Sequence, residues 1–123
     1  MPLTETSFGS AVPIDGYGPG FFRVGGQVWR GGIVVHAEGL STWGGYDDLA
    51  PLLALSGKVD VLFVGTGPEI AHLPKGFVAE LEAVGVMTEP MGTPAAARTY
   101  NVLLSEGRRV AAALHPMPEE TGG

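Results

Sequence analysis

The chain has 123 residues, of which 45% are hydrophobic and only 16% charged, with 20 glycines, no cysteine and a formal net charge of −6. That length suits one domain with a real core, and the missing cysteines exclude disulfides, thiol nucleophiles and Cys-ligated metal while fitting a reducing compartment. An acidic chain with no basic run beyond Arg108-Arg109 lacks the footprint for nucleic acid, and a charged fraction well below the usual ~25% points to a surface covered by a protein partner or a second copy.

The first ten residues, MPLTETSFGS, have neither a positive n-region nor an apolar h-region, so no signal peptide is expected. No apolar run approaches the roughly 18 residues of a membrane span, and the cytoplasm is the expected compartment. Residues 1–19 read as a turn-rich lead-in punctuated by Pro13, Gly16, Gly18 and Pro19, with Phe8, Val12, Ile14 and Tyr17 packing its turns on the core. Phe21 to Val24 reads as a strand, Gly25-Gly26 as a two-residue hairpin turn with positive φ at both positions, and Gln27 to Arg30 as the second strand. Ile33 to His36 either extends that strand past a bulge at Gly31-Gly32 or starts a third.

Trp43 falls in a turn-rich segment. Asp47 or Asp48 is placed to cap a short helix from about Leu49 to Leu55, with Pro51 in its first turn and Gly57 at its end. Val59 to Val64, VDVLFV, predicts a central, mostly buried strand. Gly65-Thr66-Gly67-Pro68 then turns the chain. A second helix is predicted from about Lys75 to Val84, with Phe77, Val78, Leu81 and Val84 inward and Gly85 as its stop. Val86 to Pro90 reads as a strand. Thr93 is a good N-cap, Pro94 suits the first helical position and Gly107 the C′ position. The third helix therefore runs from about Pro94 to Glu106, burying Ala96, Tyr100, Leu103 and Leu104, with Arg98, Asn101 and Ser105 on another stripe. Val110 to Leu114 is apolar throughout and reads as a buried strand. Residues 118–123 are expected to be a frayed tail.

Strand, helix, strand, helix, strand from Val59 onward predicts βαβ units. With the N-terminal hairpin added, the expected fold class is α/β: a single domain, residues 1–123, with a mixed β-sheet, an antiparallel N-terminal hairpin, a C-terminal βαβαβ and helices packed on the sheet.

In an open α/β sheet, ligands bind outside the carboxyl ends of the strands. Here those ends offer Gly65, Thr66 and Gly67 on one loop and Met91-Gly92-Thr93 on the next. Were the loops to adjoin, their backbone N–H groups, the Thr66 and Thr93 hydroxyls and the Arg98 guanidinium one turn into the helix would line a small polar pocket for an anion. The competing reading is structural: GTG as a tight strand-to-helix turn, Arg98 in an ion pair or on helix carbonyls, Asn101 and Tyr100 as satisfied helix residues. The motif is neither a GxxxxGK[ST] phosphate loop nor a GxGxxG fingerprint. His36, His72 and His115 are isolated, with no HExxH and no metal-ligand spacing, and no serine sits in GxSxG. No catalytic residue, metal site or cofactor is assigned. Asp60, inside an apolar run, is expected to pair with Arg30 or Arg109 or to lie at an edge.

The segment MGTPAAARTYNVLLSEGRRVAAALHP, with RTYN followed by LxxEGRRVAAAL, resembles the C-terminal signature of a small single-domain family. That family includes mitochondrial complex I assembly factor 3, the adipogenesis-associated domain-containing protein and many bacterial and archaeal proteins of unknown function. GYGPGFFRVGGQVWRGGIVV resembles its glycine-rich hairpin, and VDVLFVGTG its central strand and loop. The resemblance implies a compact α/β domain, a non-catalytic assembly role with a protein partner for the mitochondrial member, and no established reaction for the bacterial ones. It also implies a pocket near Gly65, Thr66, Gly67, Arg98 and Asn101. Family members often carry a cysteine where this chain has Ala97, a change that reads as a packing position. The expected function is therefore a non-enzymatic interaction module resembling an assembly factor for a respiratory-type complex. The alternative is a small-molecule or anion-binding protein that uses the strand-end loops and Arg98.

Overall fold

The structure, a computed structural model, describes residues 12–119. Among the described residues, eight strands and three helices follow one another as β1 (Ile14–Gly18), β2 (Phe21–Val24), β3 (Gln27–Arg30), β4 (Gly32–His36), β5 (Gly39–Trp43), α1 (Ala50–Leu53), β6 (Val61–Gly65), α2 (Lys75–Ala83), β7 (Met87–Met91), α3 (Thr93–Ser105) and β8 (Val110–Leu114). They form two sheets. One is antiparallel, in the order β1-β2-β3; the other is mixed, in the order β5-β4-β8-β6-β7, with β6 parallel to both β7 and β8. The mixed α/β architecture and the C-terminal βαβαβ agree with the sequence expectation. The single sheet becomes two because the chain turns at Gly31, and β4 pairs with β5 and β8 rather than extending the hairpin.

Side chains alternate across the five-stranded sheet, and each face has its own cover. Ile33, Val35, Phe63, Val110, Ala112 and Leu114 face α3 and the small sheet, where they meet Tyr100, Leu104, Phe22 and Val24. Val34, Leu62, Val64, Ala111 and Ala113 face the other way, onto Leu52, Phe77 and Leu81 of α1 and α2. A strand covered on both faces has no position for a polar residue. That is why β8 reads VAAAL and is buried at all five residues.

The predicted turn at Gly25-Gly26 is present, with φ of 62° and 78°. The β1–β2 pairing is new: Ile14 is buried, while Tyr17 is largely exposed rather than packed in. Phe8 lies outside the described residues, as do residues 120–123. Short of them, Gly20 N–H donates to Met117 O at 2.8 Å and ties that end of the chain to the hairpin.

Three helix details differ from expectation. Helix α1 is a single turn, and neither Asp47 nor Asp48 caps it; Leu49 is the N-cap, and the Asp48 carboxylate instead accepts from Gly44 N–H at 2.8 Å. Val84 is the C-cap of α2 and is exposed rather than inward. In α3 the N-cap is Gly92, and Thr93 is already helical. The helix ends as predicted: Gly107, at φ 81°, donates to Leu104 O, and Arg108 N–H donates to Leu103 O, the paired bonds of a Schellman motif. Asp60 lies just before β6, exposed, with its carboxylate 3.1 Å from Arg109 Nη2.

Candidate functional site

The carboxyl ends of β6 and β7 and of the antiparallel-flanked β8 converge on one small region. Thr66 N–H donates to Met91 O at 2.8 Å, His115 N–H to Gly65 O at 2.9 Å, and Thr93 N–H to Gly67 O at 2.6 Å. The Thr93 hydroxyl closes the ring: it accepts from Gly67 N–H at 2.9 Å and donates to His115 O at 2.7 Å. The Thr66 hydroxyl lies 2.6 Å from Glu69 O and 3.1 Å from Met91 O. Gly65, Thr66, Gly67 and Thr93 are thus brought together, with their hydroxyls and several backbone N–H groups bonded within the protein. A side chain does not fit at Gly65, where an added Cβ would lie 2.7 Å from Leu114 Cδ2 and 2.8 Å from Thr93 Oγ1. Gly65→Ala is expected to lower stability by about 2–3 kcal/mol through overpacking, read as a drop in the urea midpoint with unchanged slope; an unchanged midpoint would show that the loop yields.

Arg98 and Asn101 lie further down α3. Asn101, eight residues beyond Thr93, stands about 12 Å along the helix axis. Its side-chain oxygen accepts from Ile14 N–H at 2.9 Å, and its Nδ2 donates to Ile14 O at 2.8 Å. It therefore stitches α3 to β1 rather than joining the loops. Arg98 is exposed, without a carboxylate partner among the described residues.

Sequence reasoning did not foresee the aromatic cluster beside these loops. His115 packs at 4.7 Å from the Trp43 ring and 4.8 Å from Tyr46, and Tyr46 meets Phe77 edge-on at 5.0 Å. His115 Nε2 is buried without a hydrogen-bond partner among the described residues. Burial lowers the pKa of His115, and burial also lowers that of His36, where Glu38 partly offsets it and Lys58 adds to it. In the unfolded chain both histidines protonate near 6.5. Below that pH the unfolded state binds more protons than the folded one, so stability falls as the pH drops through 6.5 and levels off below the folded pKa values. The urea midpoint is expected to fall between about pH 7 and pH 5.5 in the natural chain and to stay nearly flat in a His36→Gln, His115→Phe variant. Equal slopes in both would remove the histidines as the cause.

A second region, at the opposite end of the large sheet, holds a recess of about 520 Å³ lined by His36, Lys58, Arg108 and Arg109 among others. Only the Arg108-Arg109 pair was visible in the sequence. Among the described residues, no group of three or more His, Asp or Glu is placed to hold a metal ion, and no helix is long and apolar enough to cross a membrane.

These features define a small α/β domain in which a five-stranded mixed sheet is covered on one face by α3 and the small antiparallel sheet and on the other by α1 and α2, with strand-end loops closed on themselves. Solved structures share that architecture. One, described as an outer membrane protein from Bartonella henselae, is 36% identical, with a TM-score of 0.80, 89% of this chain covered and 98% of that one. Another, from Bordetella pertussis and described as an Mth938-like domain, is 29% identical, with a TM-score of 0.75, 99% of this chain covered and 96% of that one. The chain belongs to the DUF498/DUF598 family of proteins of unknown function, whose profile matches residues 14–115. Among its relatives, an uncharacterized protein of Rhodobacter capsulatus is 66% identical over 96% of this chain and 95% of its own length. The mouse NADH dehydrogenase [ubiquinone] 1 alpha subcomplex assembly factor 3 is 30% identical over 98% of this chain and 69% of its own length.

Proposed function

We propose that this chain is a non-enzymatic, cytoplasmic interaction module that assists the assembly of a respiratory-type complex through a protein partner. The observation that carries the reading is the similarity, over nearly the whole chain, to a protein named as an assembly factor for NADH dehydrogenase. The site geometry supports it: the hydroxyls at the strand ends are bonded to the protein's own backbone, which leaves few groups there for a substrate. The second reading, an anion held by Gly65, Thr66, Gly67, Thr93 and Arg98, is supported by the exposed, unpartnered guanidinium of Arg98.

Affinity capture of the tagged full chain from its own host, with an Arg98→Ala variant beside it, separates the two. The assembly reading expects stoichiometric recovery of NADH dehydrogenase subunits with both proteins. Their absence, together with normal assembly of the complex in a deletion strain, would sink it. Saturable binding of inorganic phosphate that Arg98→Ala abolishes would favour the second reading.

A further inference from the structure

Positive charge is scarce in this chain, yet three of its carriers meet in one place. Of seven lysines and arginines in a protein of net charge −6, three line the recess at the amino ends of β6 and β8: Lys58, Arg108 and Arg109. Their grouping is a product of the fold. The Schellman turn at Gly107 delivers Arg108 and Arg109 to the start of β8, and the parallel pairing of β8 with β6 sets them beside the segment that carries Lys58. The volume, about 520 Å³, falls within the usual range for small-molecule clefts. Val59, Leu104 and Val110, each under 8% exposed, give it an apolar base.

The cations are available. Lys58 Nζ lies 3.5 Å from Glu38 Oε1, and Arg109 Nη2 lies 3.1 Å from Asp60 Oδ1, with all four side chains more than half exposed. Pairs so exposed are screened and weak, and they give way to a better-placed anion. Arg108 has no carboxylate partner among the described residues. His36 adds a neutral donor: its Nδ1 accepts from Glu38 N–H at 3.2 Å, so the imidazole proton sits on Nε2. Three cations against Glu38 in the lining and Asp60 on Arg109 leave a net positive charge, and once Arg109 turns from Asp60 to a ligand the recess suits the dianion of a phosphate monoester.

We propose that this recess binds a small organic phosphate, with the phosphate between Lys58, Arg108 and Arg109 and the apolar body on Val59, Leu104 and Val110. The arginine fork suits phosphate oxygens, and Arg109 exchanges Asp60 for the ligand as it binds. The proposal stands apart from the assembly role and from the Arg98 loops, since it uses neither.

The test is an NMR titration of the isotope-labelled full chain with phenyl phosphate, inorganic phosphate, benzoate and benzyl alcohol. Phenyl phosphate is expected to give saturable shifts centred on the amides of Gly57, Lys58, Gly107, Arg108 and Arg109. Inorganic phosphate and benzoate are expected to bind more weakly, and benzyl alcohol not to bind. Arg108→Gln, an exposed change that leaves the fold intact, is expected to weaken phenyl phosphate roughly ten-fold, the worth of one charge-assisted hydrogen bond. Arg98→Gln is expected to change nothing. Absence of saturable shifts up to about 10 mM overturns the proposal, as do shifts that persist undiminished in a Lys58→Gln, Arg108→Gln variant. Benzoate or benzyl alcohol binding as tightly as phenyl phosphate overturns the choice of a dianion.

Discussion

Replacing Tyr100 with alanine is expected to lower stability by about 3–5 kcal/mol, a large part of the roughly 5–15 kcal/mol that holds a domain of this size together. Tyr100 is the largest side chain with no exposed surface, and it packs in the cluster formed by Phe22, Ile33, Val35, Phe63 and Ala112. It is the point where α3, the small sheet and the large sheet meet. Its hydroxyl donates to Val12 O at 2.8 Å, and burial pushes the phenol well above its ordinary value, so it remains a donor throughout the neutral range. Tyr100→Phe separates the two contributions, because it keeps the ring and leaves only Val12 O without its partner, for about 1 kcal/mol. Urea unfolding followed by circular dichroism measures both. Equal losses in the two variants would mean that the hydroxyl, not the ring, secures the junction, contrary to the packing account.

The second large effect is expected at Thr93. Thr93→Val preserves shape and removes the hydroxyl that joins Gly67 N–H to His115 O in a fully buried position. Two backbone groups then lose their partner together, at about 2–4 kcal/mol. Thr93→Ser keeps the hydroxyl and is expected to cost about 1 kcal/mol for the lost methyl. Hydrogen exchange gives an independent readout, because the Gly67 amide should exchange much faster in the valine variant and near its natural rate in the serine one. A valine variant as stable as the natural chain would show that the loop closure does not depend on this hydroxyl.

Thr93 also shows where a local rule misleads. A threonine ahead of proline is a sound N-cap signal, yet the cap is Gly92 and the hydroxyl serves two loops from other parts of the chain. Asp48 repeats the lesson, since its carboxylate closes the turn back to Gly44 instead of capping α1. The strands β1 and β5 escaped notice for a different reason. IDGYG carries two glycines and a register shift, and GLSTW is an edge strand with two exposed polar residues. Neither shows the apolar alternation that marks a half-buried strand. Arg108-Arg109 could be seen as a pair, but Lys58, fifty residues earlier, had no visible link to it.

The sequence by itself determined the α/β class, the hairpin turn at Gly25-Gly26, the extents of β2 and β8, the Gly-terminated α2 and α3 and the family. These rest on interactions within about four residues, on the period of burial and on a motif written contiguously in the chain. The tertiary structure decided the division into two sheets, the use of Asn101 on Ile14, 87 positions away, the closed ring at Thr93, the ring cluster around His115 and the cationic recess. Each of these depends on which partner a side chain meets across the sheet. That choice is made by strand pairing and packing over long chain separations, where local propensity is silent.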